Sequence, residues 1–172
     1  MTDAEPDSTL ELLRQLQSGD PPKVVVAARE LASRQEMSAA PLLLELLRTT
    51  NDVTVRNAAA LALGDLKHPP AFDVLVDLLK DERTHSSRGT LLYAIGAFDC
   101  SSILSTLVNF VIDGNFEVSR QAFSLIGGIE TEVNERTWDA CTSRVRNTLV
   151  VAADERRPLL REVLALFEQE EE

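Results

Sequence analysis

The sequence predicts an all-α chain, a right-handed α-α superhelix of about five antiparallel helix pairs. Three observations lead there. Arg56, Arg88 and Arg120 recur at intervals of 32 residues, and Ala32, Gly64, Gly96 and Gly128 keep the same spacing one turn or more further on. Leu31, Leu63, Ile95 and Gly127 stand one step before each of these. Apolar residues fall at the i, i+3, i+4, i+7 spacing of an amphipathic helix, and strand-type alternation is nearly absent. A fixed period of this length is the mark of stacked helical hairpins, each too small to bury its apolar face alone.

The elements follow in order. Helices are predicted over 8–17 and 22–34, 39–49 and 52–66, 70–81 and 85–98, 102–112 and 116–129, and 132–152 and 156–168. In the first member of each pair Leu43, Leu75 and Leu107 align, as do Leu46, Leu78 and Phe110, and Leu47, Leu79 and Val111. In the second member Val55, Ala59, Ala62, Leu63 and Leu66 form one stripe. The segment KVVVAAREL has a β-branched run, but its register with the other second helices makes it helical. Between elements stand TTND, KHPP, KDERTHSS and DGNFE. Proline stops one helix and starts the next, and Asp, Asn or Ser can cap free N–H groups at the starts. The last pair keeps the register only with an offset of 37, which aligns Arg157 with Arg120. Its first helix is longer and carries Trp138, Cys141, Val145 and Leu149 on one face. That suits a closing repeat, with Trp138 packing as part of the cap.

The chain has 172 residues, 44% of them hydrophobic and 26% charged, so one folded domain over 1–172 is expected, with frayed acidic ends at 1–7 and 169–172. MTDAEPDS lacks the apolar stretch of a secretory signal, and no run is long enough to span a membrane. Two cysteines imply neither a disulfide framework nor a metal cluster. A cytoplasmic setting is the expectation. The net charge of −11, with no basic run, argues against a nucleic-acid partner, because phosphate binding needs clustered Lys and Arg. It argues equally against anionic lipid and suits a basic protein partner.

The string VRNAAALALGDLKHPPAFDVLVDLLKDE, residues 55–82, resembles the HEAT-like repeats of bacteria, the kind also seen in phycobilisome lyase proteins. The resemblance, of HEAT/ARM-repeat type, covers roughly 20–168 and is strongest in the second to fourth units. It implies architecture more than activity. It also implies that Arg56, Arg88 and Arg120 are a structural ladder, bonding to acids or free carbonyls at neighbouring turns such as Asp52, Asp81 and Asp113; the alternative is a row that binds anions. Alanines 58, 59, 60 and 62 let helices approach, and the interior glycines at 64, 96 and 128 imply contacts too close for a side chain, since glycine in a helix costs about 1 kcal/mol against alanine.

Catalytic chemistry is not legible. His68 and His85, the only histidines, fall at a proline turn and a helix start. Cys141 lies on an apolar helix face, and Cys100, in a turn, is expected to be partly exposed but inert. The His-Glu pairs of iron-binding HEAT-like hydroxylases are missing, as is the basic groove of HEAT-like DNA glycosylases. Glu45, Asp73 and Asp77 read as a solvated outer face. No catalytic residue, metal ligand or cofactor is therefore predicted.

In a HEAT-type solenoid the second helices line the concave face, where binding occurs. Arg29, Leu61, Tyr93 and Leu125 form one row there. Asp65, Ala97 and Ile129 form the next, and Asn57, Gly89 and Gln121 the one before. Apolar residues occupy positions that are usually polar in the family, which predicts a partner-binding stripe with Tyr93 as its anchor. The expected function is a non-enzymatic protein-binding scaffold or adaptor, with an antidote or immunity protein against a basic toxin as one concrete form. A chromophore or cofactor lyase-like chaperone is the alternative implied by the resemblance, and a structural assembly subunit is a third reading. The expected state is a monomer or weak homodimer.

Overall fold

Four helix starts carry a side chain that closes the first turn. Ser8 accepts from the Glu11 N–H at 3.2 Å, Asp52 from Val55 at 2.9 Å, Asn115 from Val118 at 2.9 Å and Asn134 from Thr137 at 3.4 Å. Each bond satisfies an orphan donor that would otherwise need water. The computed structural model describes residues 8–169. Among them the regular elements are ten α-helices and three short 3-10 segments, with no strand. The chain divides into two compact units, one ending at Phe98 and the other beginning at Asp99.

The first unit holds α1 (Thr9–Leu16), α2 (Pro21–Ser33), α3 (Ala40–Thr49), α4 (Val53–Asp65), α5 (Ala71–Lys80) and α6 (Arg88–Ile95). They form three hairpins, α1–α2, α3–α4 and α5–α6. The second helices α2, α4 and α6 pack directly on one another, whereas α3 and α5 touch only marginally. The second helices therefore form the tighter, inner row of this unit. The predicted α4 stripe is buried in full, from Val55 to Leu66. Leu63 is wholly buried, which contributes about 1.5–3 kcal/mol. Phe72 and Phe98 close one end with their rings edge to face at 6.1 Å.

Helices α2 and α4 stop in the same way, 32 residues apart. Gln35 and Lys67 adopt left-handed backbone, with φ of 54° and 48°. The N–H groups of Gln35 and Glu36 reach back to Ala32 and Leu31, and those of Lys67 and His68 to Gly64 and Leu63. These bonds satisfy the last carbonyls of each helix and turn the chain sharply into the next hairpin. Glycine would adopt this backbone at lower cost, so the repeated turn is not announced by its residues.

The predicted helix at 85–98 is shorter than expected. Residues Glu82–Ser87 form a 3-10 segment, and α6 runs only from Arg88 to Ile95. The Thr84 hydroxyl donates to the carbonyls of Leu78 and Asp81, and Asp81 accepts from the Arg83 N–H. These local bonds compete with an α-helical start. Gly96 caps the end, which leaves Ala97 in the following turn.

The second unit contains α7 (Leu104–Asp113), α8 (Phe116–Gly127), α9 (Glu135–Val151) and α10 (Arg157–Gln169). Helix α7 packs on α8 and α9, and α10 on α9 and α8. Leu104, Leu107, Val108, Val145, Val163 and Phe167 make its core. Trp138 stands edge-on to Phe167, ring centres 4.7 Å apart, so it packs at the end of α9 as the sequence predicts. Helix α8 ends at Gly127 with Gly128 as its cap, and Ile129 lies in the loop beyond.

Of the three repeated glycines, Gly64 makes the close approach expected of it. A Cβ at Gly64 would lie 2.8 Å from the Ala94 carbonyl oxygen, where α4 meets α6. Gly96 is exposed at a helix cap, and a Cβ at Gly128 would make only ordinary contacts, the nearest at 3.5 Å.

Candidate interaction surface

The predicted stripe divides between the two units. In the first, α2, α4 and α6 present matching positions because the 32-residue register repeats and the three helices pack side by side. Arg29 and Asp65 are exposed, Leu61, Gly89 and Ala97 are half-buried, and Tyr93 is 64% exposed. Asn57 is half-buried, and its Oδ1 is sealed without a hydrogen-bond partner. The Gln35 amide donates to the Asp65 carbonyl at 3.3 Å, tying the end of α2 to the end of α4. No predicted position of this unit lies in the core. Val26, 60% exposed on α2, lies outside the predicted rows; its β-branched surroundings read as a strand signal rather than as a face.

In the second unit Gln121 and Leu125 are half-buried on α8. Ile129 is off the helix and instead lines a cavity of about 450 Å³ with Ile126, Val133 and Trp138. The Glu130, Glu132, Glu135 and Asp139 side chains complete its wall. An aromatic face beside carboxylates attracts a cationic group by both its quadrupole and the negative field. The acidic loop 130–135 carried no motif, so spacing alone did not reveal this cavity.

The arginine ladder is more varied than predicted. Arg88 donates to the Leu79 carbonyl at 3.2 Å. Arg120 pairs with Glu162 at 3.0 Å rather than with Asp113. In the last pair it is Arg156, not Arg157, that serves the neighbouring turn. Its guanidinium donates to the carbonyls of Ile112 at 2.8 Å and Gly114 at 2.7 Å, at the end of α7. Arg157 bonds locally to Ala152 and Asp154. A cation suits a helix C-terminus, where carbonyls lack partners. Arg56 makes no ion pair with Asp52 or Asp81 among the described residues.

Neither thiol is poised for attack. Cys100 is buried, which corrects the expected partial exposure, and desolvation, with help from the Asp99 charge, pushes its pKa up to about 11. Burial also raises Cys141, partly offset by the Ser105 hydroxyl 3.6 Å away. A protonated thiol is a poor nucleophile. His85 is exposed and His68 half-buried, and no group of three or more His, Cys, Asp or Glu among the described residues is arranged to hold a metal ion. Nor is any described helix long and apolar enough to cross a membrane.

Residues 9–91 match the family model described as HEAT repeats. The match supports a HEAT-like repeat protein. The match runs from the first residue of α1 into the middle of α6, and so takes in the three stacked hairpins of the first unit. The HEAT-like protein has no significant match among curated proteins. HEAT repeats as a class serve as protein-interaction scaffolds.

Proposed function

We propose that this HEAT-like protein is a non-enzymatic scaffold that binds a partner protein through the outward face of its second helices, with Tyr93 as the anchor. The observation that carries this reading is the exposure of Tyr93, at 64%, on the inner helix row of a repeat array. A tyrosine offers large apolar area and a hydroxyl at low entropic cost, which is why it recurs among binding hot spots. Half-buried Leu61, at the corresponding position of α4, supplies apolar surface beside it. The partner is basic. In support stand the net charge of −11 and the carboxylate-walled cavity beside Trp138, which favour a positive surface by field and by desolvated contact. An intracellular antidote to a basic toxin is one concrete form.

The test is capture of partners by the full chain, followed by titration of the purified partner against wild type and Tyr93→Asp. Loss of about 2 kcal/mol or more of binding, the usual size of a hot spot, is expected, with unchanged helicity and melting temperature and a strong salt dependence. Equal affinity for the two proteins would refute the assigned face.

A further inference from the structure

The arginines at the repeat turns divide into those with partners and one without. Arg88, Arg120 and Arg156 each reach a carbonyl or a carboxylate. Arg56, on the first turn of α4, reaches neither among the described residues. It is only 6% exposed, its Nε is sealed from solvent, and that nitrogen has no hydrogen-bond partner. The nearby acids bond to other groups. Asp52 Oδ1 accepts from the Thr54 hydroxyl and the Val55 N–H. Asp81 is gripped through both oxygens by Arg83, at 2.7–3.2 Å. Each carboxyl is held below its ordinary range first by those hydrogen bonds and last by the Arg56 charge, so the guanidinium is near both without bonding either. A buried donor left without an acceptor is costly, and a buried charge more so.

Arg56 lines a cavity of about 240 Å³ walled by the end of α3 and the 3-10 segment after α5, with Arg48 and Arg83 at its sides. We propose that this cavity is a carboxylate-binding site, with Arg56 as its fork-shaped anchor. Arg48, Arg56 and Arg83 line the cavity with one carboxylate, Asp81, and Asp52 stands near Arg56 just outside the lining; counted together, three guanidiniums and two carboxylates leave one positive charge in a chain that is otherwise strongly negative. That excess matches a singly charged oxyanion better than a phosphate dianion. The guanidinium's parallel N–H groups fit the two oxygens of a carboxylate, and the N-terminal end of α4 adds positive potential. The cavity lies apart from Tyr93 in the sequence and in its lining, so the site stands or falls independently of the scaffold reading.

The experiment follows the Arg56 Nε–H resonance of the isotopically labelled full chain during titration with sodium acetate, sodium chloride at matched ionic strength, inorganic phosphate, and an end-blocked Ala-Glu-Ala peptide. Acetate is expected to give a saturable shift. Arg48→Gln removes an exposed charge without touching the core and should weaken acetate binding about threefold or more; Arg56→Lys, followed instead by the backbone amide resonances of residues 53–56, should weaken it about tenfold, because a lysine lacks the fork. Tighter binding of the peptide than of acetate would assign the carboxylate to a partner's side chain. Acetate binding with no peptide binding would assign it to a free small acid. A shift equal to that in chloride, tighter binding of phosphate than of acetate, or acetate affinity unchanged in both variants would each overturn the proposal.

Discussion

Replacing Gly64 by alanine sets two known effects against each other. Helix propensity favours the change by about 1 kcal/mol, because alanine loses less backbone entropy than glycine. Packing opposes it. The new Cβ would sit 2.8 Å from the Ala94 carbonyl oxygen and 3.4 Å from the Ala94 Cα. The obstacle is backbone of a buried helix residue, which cannot swing aside as a long side chain could. Helices α4 and α6 must therefore separate, and overpacking of this kind costs about 1–3 kcal/mol. A Cβ–O contact this short belongs in the upper part of that range, so the net loss is about 1–2 kcal/mol. For a chain of 172 residues this lowers Tm by roughly 2–8 °C. Gly128→Ala is the matched control, since its nearest contact would be an ordinary 3.5 Å, and it should shift Tm by no more than about 1 °C. The assay is thermal unfolding followed by circular dichroism at 222 nm, with chemical denaturation to obtain ΔG. If Gly64→Ala is as stable as wild type or more so, the close α4–α6 approach is wrong and the second helices do not form a tight row.

Two further outcomes follow from the titrating groups. Asp52, Asp81 and Asp99 are held below the ordinary carboxylate range, chiefly by hydrogen bonds from Thr54, Arg83 and Ser101 respectively. A depressed folded pKa stabilises the fold above the unfolded value of about 3.9, and that contribution is lost as pH falls through the folded pKa values. Acid unfolding should therefore steepen below about pH 4, and Asp52→Asn with Asp81→Asn should flatten the profile in that window when ΔG is measured against pH. Cys100 has the opposite sign. Its raised pKa, about 11, leaves stability intact below the unfolded thiol value and erodes it as pH rises between the two. Iodoacetamide at pH 8 should accordingly label Cys100 much more slowly in the folded chain than in denaturant; equal rates by mass spectrometry would show the thiol to be open.

What was readable in the chain was local. A helix exposes its apolar period in sequence because neighbours three and four residues apart share a face, so the Val55, Ala59, Ala62, Leu63 and Leu66 stripe and most helix ends could be placed. The candidate face was readable by subtraction, as the positions left over once that stripe was assigned, and Leu61 and Tyr93 indeed lie outside the core. Contacts between elements distant in sequence were not readable. The same repeated glycine is a close contact at 64 and a helix cap at 96 and 128, a difference set by where each helix ends and what packs against it. The same repeated arginine finds a carbonyl at 88, a carboxylate at 120 and no partner for its Nε at 56. Residue type sets what a side chain is able to bond, whereas packing sets which acceptor arrives within 3 Å of it, and that second quantity belongs to the tertiary structure alone.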